Sequence, residues 1–221
     1  MHILCPFRVF APSRDPEANG AVNLNFKTIL LLPMTTRLKH DEKEVIFYCT
    51  ITCHNWMPLF EMTNFYDAVY KWFDAMRKLN NHVNGYVIMP NHLHVLIKVD
   101  KESPTINKLV ANGKRFMAYE MIKRLKQSGK HELLSQLEQS VAKTDKNKGQ
   151  LHNVFEPSFD CKPCYTKKFL EQKLDYIHHN PCAGKWNLAR EFTDYKHSSA
   201  SFYEHDVDGA YAMDDYRLLE W

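Results

Sequence analysis

Two stretches of the chain place residues where they could do chemistry together. In VNGYVIMPNHLHVLIKVD, His92 and His94 flank Leu93. On an extended strand, residues i and i+2 point to one face, a few ångströms apart, so two imidazoles so placed can bind one divalent ion. Leu93 points the other way and anchors the pair. Spacing alone leaves the matter open, because an isolated pair of this kind is more often two unconnected, half-buried histidines. In KKFLEQKLDYIHHN, Tyr176 and Asn180 are four residues apart and so neighbours on one helical surface. A tyrosine can attack phosphorus, and an amide oxygen one turn on can complete a metal shell. A phenol, with a pKa of about 10, attacks poorly near neutrality unless a metal or base assists it. Mg²⁺ or Mn²⁺ would polarise a phosphate and orient it. With eleven tyrosines in the chain, position alone favours reading Tyr176 as a partly buried aromatic with a wet hydroxyl.

The elements that must position these groups follow from periodicity. EVIFYCTITC alternates, with Val45, Phe47, Cys49, Ile51 and Cys53 on one face, and predicts a strand. Phe65, Val69, Trp72, Phe73, Met76 and Leu79 mark a helix capped by Thr63 or Asn64. Two strand-like runs about Pro90-Asn91 predict an antiparallel hairpin. In its second strand Leu93, Val95, Ile97 and Val99 share one face, and His92, His94, Leu96 and Lys98 the other. Ser103, with Pro104 following, is expected to cap a helix through Ile106, Val110, Met117, Met121 and Leu125. Residues 127–153 read as a polar, partly helical insertion, and VFEPSF as a last short strand. The helix carrying Tyr176 has Leu170, Leu174 and Ile177 on its core side and ends at Pro181. Strands mixed with helices around a hairpin point to an α+β fold with a ferredoxin-like antiparallel sheet.

Length, charge and cysteines bound the rest. The 221 residues, 44% apolar and 13% aromatic, suit a folded globular domain. No apolar run reaches the ~20 residues that span a bilayer, and the start lacks a secretory pattern, so no membrane partner and a cytoplasmic location are expected. The net charge is only +3, but Lys108–Lys130 holds seven Lys or Arg against one acid, Glu120. That stripe suits a polyanion, with Lys108, Lys114, Arg115, Lys123 and Arg124 as the expected contacts to it. The six cysteines read as reduced thiols or metal ligands. Cys161-Lys-Pro-Cys164, with Cys49 and Cys53, suits a zinc knuckle poorly, which favours incidental thiols. His178 and His179 read as helix-terminal residues outside the site. Residues 1–43 are expected to be an N-terminal extension. Within it Met34 opens an ordinary-looking start, so residues 1–33 could be an over-called beginning. A catalytic domain over 44–205 and a tail over 206–221 complete the expected organisation.

GYVIMPNHLHVLI, followed by FEPSF and then DYIHHNPCAGKW, resembles the HUH single-tyrosine transposases, in particular the branch of REP-associated tyrosine transposases. HUH stands for His-hydrophobic-His, here His92, Leu93 and His94. Tyr176 followed by Asn180-Pro181 matches the Y-x-x-x-N-P context of that branch. FYCTITCHNWMPLFE and YKHSSASFY extend the likeness to roughly residues 45–203. The resemblance implies an RRM-like sheet with helices on one face and the histidines on a central strand. It further implies a Mg²⁺ or Mn²⁺ ion held by His92, His94 and Asn180. Tyr176 would attack single-stranded DNA to give a 5′-phosphotyrosine and a free 3′-hydroxyl. The DNA partner would be a hairpin or imperfect palindrome, bound by a single chain or a homodimer. The long charged stretch at 127–153 departs from a minimal member. Three other functions compete: a single-stranded nucleic-acid-binding module without chemistry, a replication initiator or relaxase, and a metal hydrolase that uses the histidines alone. The intact ligands and tyrosine speak against the first, and a length of 221 residues against the second.

Overall fold

A computed structural model describes residues 40–184 and 186–221 of the chain, so the expectation for residues 1–33 lies outside the described residues. The strand β1 (Ile46–Thr52) forms where the alternating run predicts it, and β2 (His82–Ile88) and β3 (His92–Lys98) make the hairpin about Pro90-Asn91. The fourth strand is not VFEPSF. There Phe155 makes only an isolated bridge to Cys53, and β4 (Asp160–Cys164) takes up the CKPC segment. Pro157 has no N–H to give a ladder, whereas in β4 the one proline, Pro163, sits on an edge strand, where that loss is tolerated. The sheet is antiparallel throughout, in the order β2-β3-β1-β4, so β3 and β1 are central.

Strand alternation divides the molecule into two cores. Phe47, Cys49, Ile51, Leu93, Val95 and Ile97 project into the larger one. Two helices cover that face, α2 (Tyr66–Arg77) and α3 (Ile106–Gln127), with the four-residue α1 (Leu59–Met62) beside them. Burial of each large apolar side chain there stabilises by roughly 1.5–3 kcal/mol. The expected caps are displaced. Phe65 occupies the cap position of α2, Thr63 instead donates its hydroxyl to Leu59 O, and Leu79 lies exposed beyond the helix end. Thr105, not Ser103, precedes α3, and Ser103 is buried. The 127–153 stretch contributes α4 (His131–Gln139) and the one-turn α5 (Lys143–Lys146), and Leu134 and Leu137 of α4 join the larger core.

The opposite face carries α6 (Lys167–His179), whose Leu170, Leu174 and Ile177 pack with Tyr48, Val87 and Leu96 in the second core. Its N-terminus is capped by Thr166, whose side chain accepts from Phe169 N. Gly85 permits the close approach: a Cβ there would lie 2.7 Å from Leu174 Cδ1 and 2.9 Å from Leu96 Cδ1. The segment 197–199 covers the free edge of β2, with Ile88 N donating to His197 O and Ser199 N to Tyr86 O. After α7 (Ala200–His205) the tail folds back, burying Tyr211 in the larger core and Tyr216 in the smaller. No helix among the described residues is long and apolar enough to cross a membrane.

Where α2 meets α3, Gly113 lies under the Trp72 indole, and a Cβ at that position would stand 2.4 Å from Trp72 Cε2 and Nε1. A rigid bicyclic ring cannot swing away as a leucine tip can. Gly113→Ala gains about 1 kcal/mol of helix propensity but incurs overpacking of up to about 3 kcal/mol. The expected result is a net loss of about 1–2 kcal/mol in urea unfolding. A variant as stable as the parent would show that α3 can shift freely on α2.

Candidate active site

The site forms where β3 leaves the hairpin turn. The turn is pinned from both sides: Cys53 N donates to Asn91 O (2.9 Å) and Phe60 N to Pro90 O (3.0 Å). Asn91 is buried, gives Nδ2 to Trp56 O at 3.1 Å and presents Oδ1 to His92 Nδ1 at 2.7 Å. His92 therefore donates through Nδ1 and turns the lone pair of Nε2 toward Asn180 and the site.

His94 is fixed by β1. The register sets Thr50 opposite His94 and Thr52 opposite His92. Thr50 Oγ1 and Tyr48 Oη each lie 2.9 Å from His94 Nδ1, and Thr50 donates to Tyr48 Oη at 3.2 Å. With Nδ1–H given to Thr50, His94 Nε2 also offers a lone pair. Its neighbour there is Asn180 Nδ2, at 3.5 Å. The two imidazole centroids are 4.7 Å apart and nearly perpendicular. Burial drives the His92 pKa down to about 4, against a smaller opposing effect of its bond to Asn180. Burial, then the neighbouring His92 and the charge of Lys173, hold His94 well below the usual histidine range. Both rings are neutral near pH 7, the state a metal requires.

Tyr176, on the next turn of α6, sets its ring 5.5 Å from that of His94 in an edge-on contact and is 53% exposed. Among the described residues its hydroxyl has no hydrogen-bond partner, so the oxygen is open to an incoming molecule. His92, His94, Tyr176 and Asn180 are thus brought together. Two neutral imidazoles and a carboxamide, which presents Oδ1 after half a turn, form a donor set that fits a divalent ion. The fit has one further consequence: with no carboxylate in the set, a bound ion would keep its charge for an anionic ligand. Among the described residues no group of three His, Cys, Asp or Glu side chains could hold a metal, and Cys49, Cys53, Cys161, Cys164 and Cys182 are free thiols.

The expected basic contacts fare differently. All five lie on α3, across the sheet from the histidines. Lys108, Arg115 and Lys123 are exposed. Lys114 instead gives Nζ to Glu156 O at 2.6 Å, and Arg124 is held by Asp67 (2.9 Å), Glu120 (3.1 Å) and Asn64 O (2.7 Å). These two serve the fold. Sequence reasoning missed Tyr48, Thr50, Asn91 and Lys173. Tyr48 and Thr50 were legible only as the polar face of β1, and their pairing with His94 depends on register. His178, buried, meets Ser199 Oγ at 2.9 Å, and the His179 ring lies tilted against Phe192 with centroids 4.2 Å apart.

No family model and no curated protein matches the chain. Among solved structures, a REP-associated tyrosine transposase bound to a REP hairpin superposes with a TM-score of 0.54 at 15% identity, covering 82% of this chain and 93% of that one. At that identity the likeness shows a shared fold. A protein from Deinococcus radiodurans R1 named as a transposase candidate superposes at 0.39 with 13% identity, over 65% of this chain and 97% of that one. The latter similarity is too low to bear on the site.

Buried neutral histidines make stability depend on pH. Burial lowers His92 and His197 to about 4 and His178 to about 3. Their folded values lie below the unfolded value of about 6.5. The unfolded chain therefore takes up protons first as pH falls. Stability is full above pH 7 and is lost between about 6.5 and 4, at up to about 1.4 kcal/mol per pH unit for each of the well-buried His92 and His178. Urea midpoints of metal-free protein should drop from pH 7 to pH 5, and His178→Gln should flatten the slope. A midpoint constant across that range would contradict the burial argument.

Proposed function

We propose that the chain is a tyrosine transposase of the HUH kind that cuts and rejoins single-stranded DNA. The observation that carries this reading is the meeting of Tyr176 of α6 and Asn180, the residue that caps its C-terminus, with two neutral imidazoles of β3, the Tyr176 and His94 rings being 5.5 Å apart. The shared fold with a REP-associated tyrosine transposase supports it.

In this reading the Tyr176 oxygen attacks the scissile phosphorus, the bond from phosphorus to the 3′-oxygen breaks, and the phenol proton ends on the released 3′-hydroxyl. The product is a 5′-phosphotyrosine that retains the energy of the phosphodiester, so rejoining needs no nucleotide. Asn91 and Thr50 hold the two imidazoles in the tautomer that aims Nε2 at a metal, as supporting groups around a metal commonly do. His92, His94 and Asn180 would hold Mg²⁺ or Mn²⁺, which when bound supplies a Lewis acid for the phosphate. The DNA is taken to include a hairpin, by analogy with the REP hairpin of the structural neighbour.

A labelled oligonucleotide drawn from the gene's own flanks and incubated with protein and Mn²⁺ should yield a covalent adduct on a denaturing gel. Tyr176→Phe and the His92→Ala/His94→Ala double variant should abolish it. Cleavage that survives in Tyr176→Phe would transfer the assignment to a metal hydrolase. Binding without cleavage on every flank would leave only a nucleic-acid-binding module.

The exposed side of α3 is the part of this reading that lies away from the tyrosine. Lys108, Arg115 and Lys123 flank Phe116 and Tyr119, which are 63% and 67% exposed, and the Arg115 guanidinium lies 5.0 Å over the Phe116 ring. Cations between bare rings suit a single strand, whose bases stack for about 1–3 kcal/mol each. Phe116→Ala/Tyr119→Ala should weaken oligonucleotide binding without changing its salt dependence. Lys108→Ala/Arg115→Ala/Lys123→Ala should flatten the plot of log affinity against log salt by roughly 0.7 per lost contact. Unchanged affinity in both variants would remove α3 from the interface.

A further inference from the structure

The face of α6 that meets the histidines carries a third functional side chain. Lys173 precedes Tyr176 by three residues and Asn180 by seven, so the three lie on successive turns of one stripe. Its Nζ stands 5.0 Å from the ring centroid of Tyr48 and 5.2 Å from that of Phe169. Tyr48 is the residue whose hydroxyl meets His94 Nδ1, and its ring stacks on the His94 imidazole with centroids 5.6 Å apart. The ammonium is therefore held against the wall of the site by two aromatic faces. It is half-buried, and among the described residues no carboxylate pairs with it. The donors of the site are imidazoles, hydroxyls and an amide, and Asp160 of β4, whose charge reaches Tyr48, is paired with Lys162 at 3.7 Å. After burial and His92, its charge is also among the causes that keep His94 unprotonated.

A half-buried cation beside a nucleophile, unpaired and preorganised, is placed for an anion that arrives with the substrate. We propose that Lys173 is the phosphate-binding cation of this site, its ammonium holding a non-bridging oxygen of the scissile phosphodiester while Tyr176 attacks the phosphorus. This rests on the tyrosine-nucleophile reading and names a group within it. Charge grows on the non-bridging oxygens as the bond from Tyr176 to phosphorus forms and that to the 3′-oxygen breaks. Lys173 stabilises that charge and keeps its own proton throughout, so nothing beyond tyrosine and DNA is consumed.

The test compares Lys173→Met and Lys173→Arg with wild type on two oligonucleotides, one ordinary and one with a neutral methylphosphonate at the scissile position. On the ordinary strand Lys173→Met should slow adduct formation by about 100-fold, the scale of losing one preorganised charge-stabilising donor, and Lys173→Arg should recover most of it. On the methylphosphonate strand, where the charge to be met is gone, the deficit of Lys173→Met should nearly vanish. Equal deficits on both strands would make Lys173 a packing residue held by Tyr48 and Phe169 and would overturn the proposal, as would no deficit on either. Absence of any adduct in wild type would sink the tyrosine reading itself, and the proposal with it. A metal-free readout runs alongside: in the Tyr176→Phe background with chelator, the preference for the charged over the neutral strand should be lost on adding Lys173→Met. A preference that persists overturns the assignment even if the protein folds normally.

Discussion

The antiparallel pairing of β1 with β3, which sets Thr50 against His94 and Thr52 against His92, is the constraint on which the rest of the structure depends. Because side chains alternate, that register sends Leu93, Val95 and Ile97 into the core under α2 and α3 and turns His92 and His94 toward α6. A slip of one residue would bury both imidazoles among aliphatics and expose the aliphatics to the polar face. Each misplaced Leu, Val or Ile would forfeit roughly 1.5–3 kcal/mol of burial, far more than a shifted backbone ladder could return. The hydrophobic residue within the His-x-His unit thus fixes the chemistry by fixing which way the strand faces. The hairpin turn works to the same end, since Asn91 fastens both the backbone to Cys53 and the ring of His92.

Facing the histidines toward a covered surface has an electrostatic result. An exposed imidazole would be partly protonated near neutrality, and a cationic pair 4.7 Å apart would repel both a metal and each other. Burial under α6 removes that option, at a cost in acid stability, and leaves two lone pairs in a dry setting. Tyr176 escapes the same treatment because it sits at the rim of α6, one helical step from the buried Leu174 and Ile177. One helix therefore supplies a dry side that keeps the imidazoles neutral and a wet side that keeps the tyrosine reachable. Gly85 lets this helix approach closely enough for Asn180 to touch His94.

What could be read from the sequence was what local periodicity determines. The hairpin, the face shared by His92 and His94, and the helix with Leu170, Leu174 and Ile177 inward all follow from residues a few positions apart, and the α+β antiparallel sheet follows from their sum. What could not be read needed contacts between distant segments. Nothing near residue 160 announces that Asp160–Cys164 rather than VFEPSF joins β1, because strand choice there is settled by which backbone reaches the edge. Thr50 and Tyr48 become partners of His94 only once the register across 44 and 46 residues is known. The basic stripe of α3 was visible, but not that Lys114 and Arg124 would be drawn into carbonyl and carboxylate contacts.

The placement of α3 and α6 on opposite faces separates two tasks. A contact on α3 cannot touch a phosphorus beside Tyr176, because the sheet and its core lie between. In the proposed reaction, whatever α3 contributed would be binding that is the same in ground and transition states, which would govern occupancy and leave the chemical step alone. In that reaction, groups on α6 and β3 would stand where charge changes, so their contribution would fall on the rate. The edges of the sheet limit how a strand could reach both. Along β2, residues 197–199 and Asp214 N occupy backbone groups of Tyr86, Ile88 and Val83. β4, the other edge, is five residues long and includes Pro163, which cannot donate to a further ladder. Neither edge is built to extend the sheet with another chain, so a polyanion spanning both faces would pass over side chains and find its order in the positions of cations and rings.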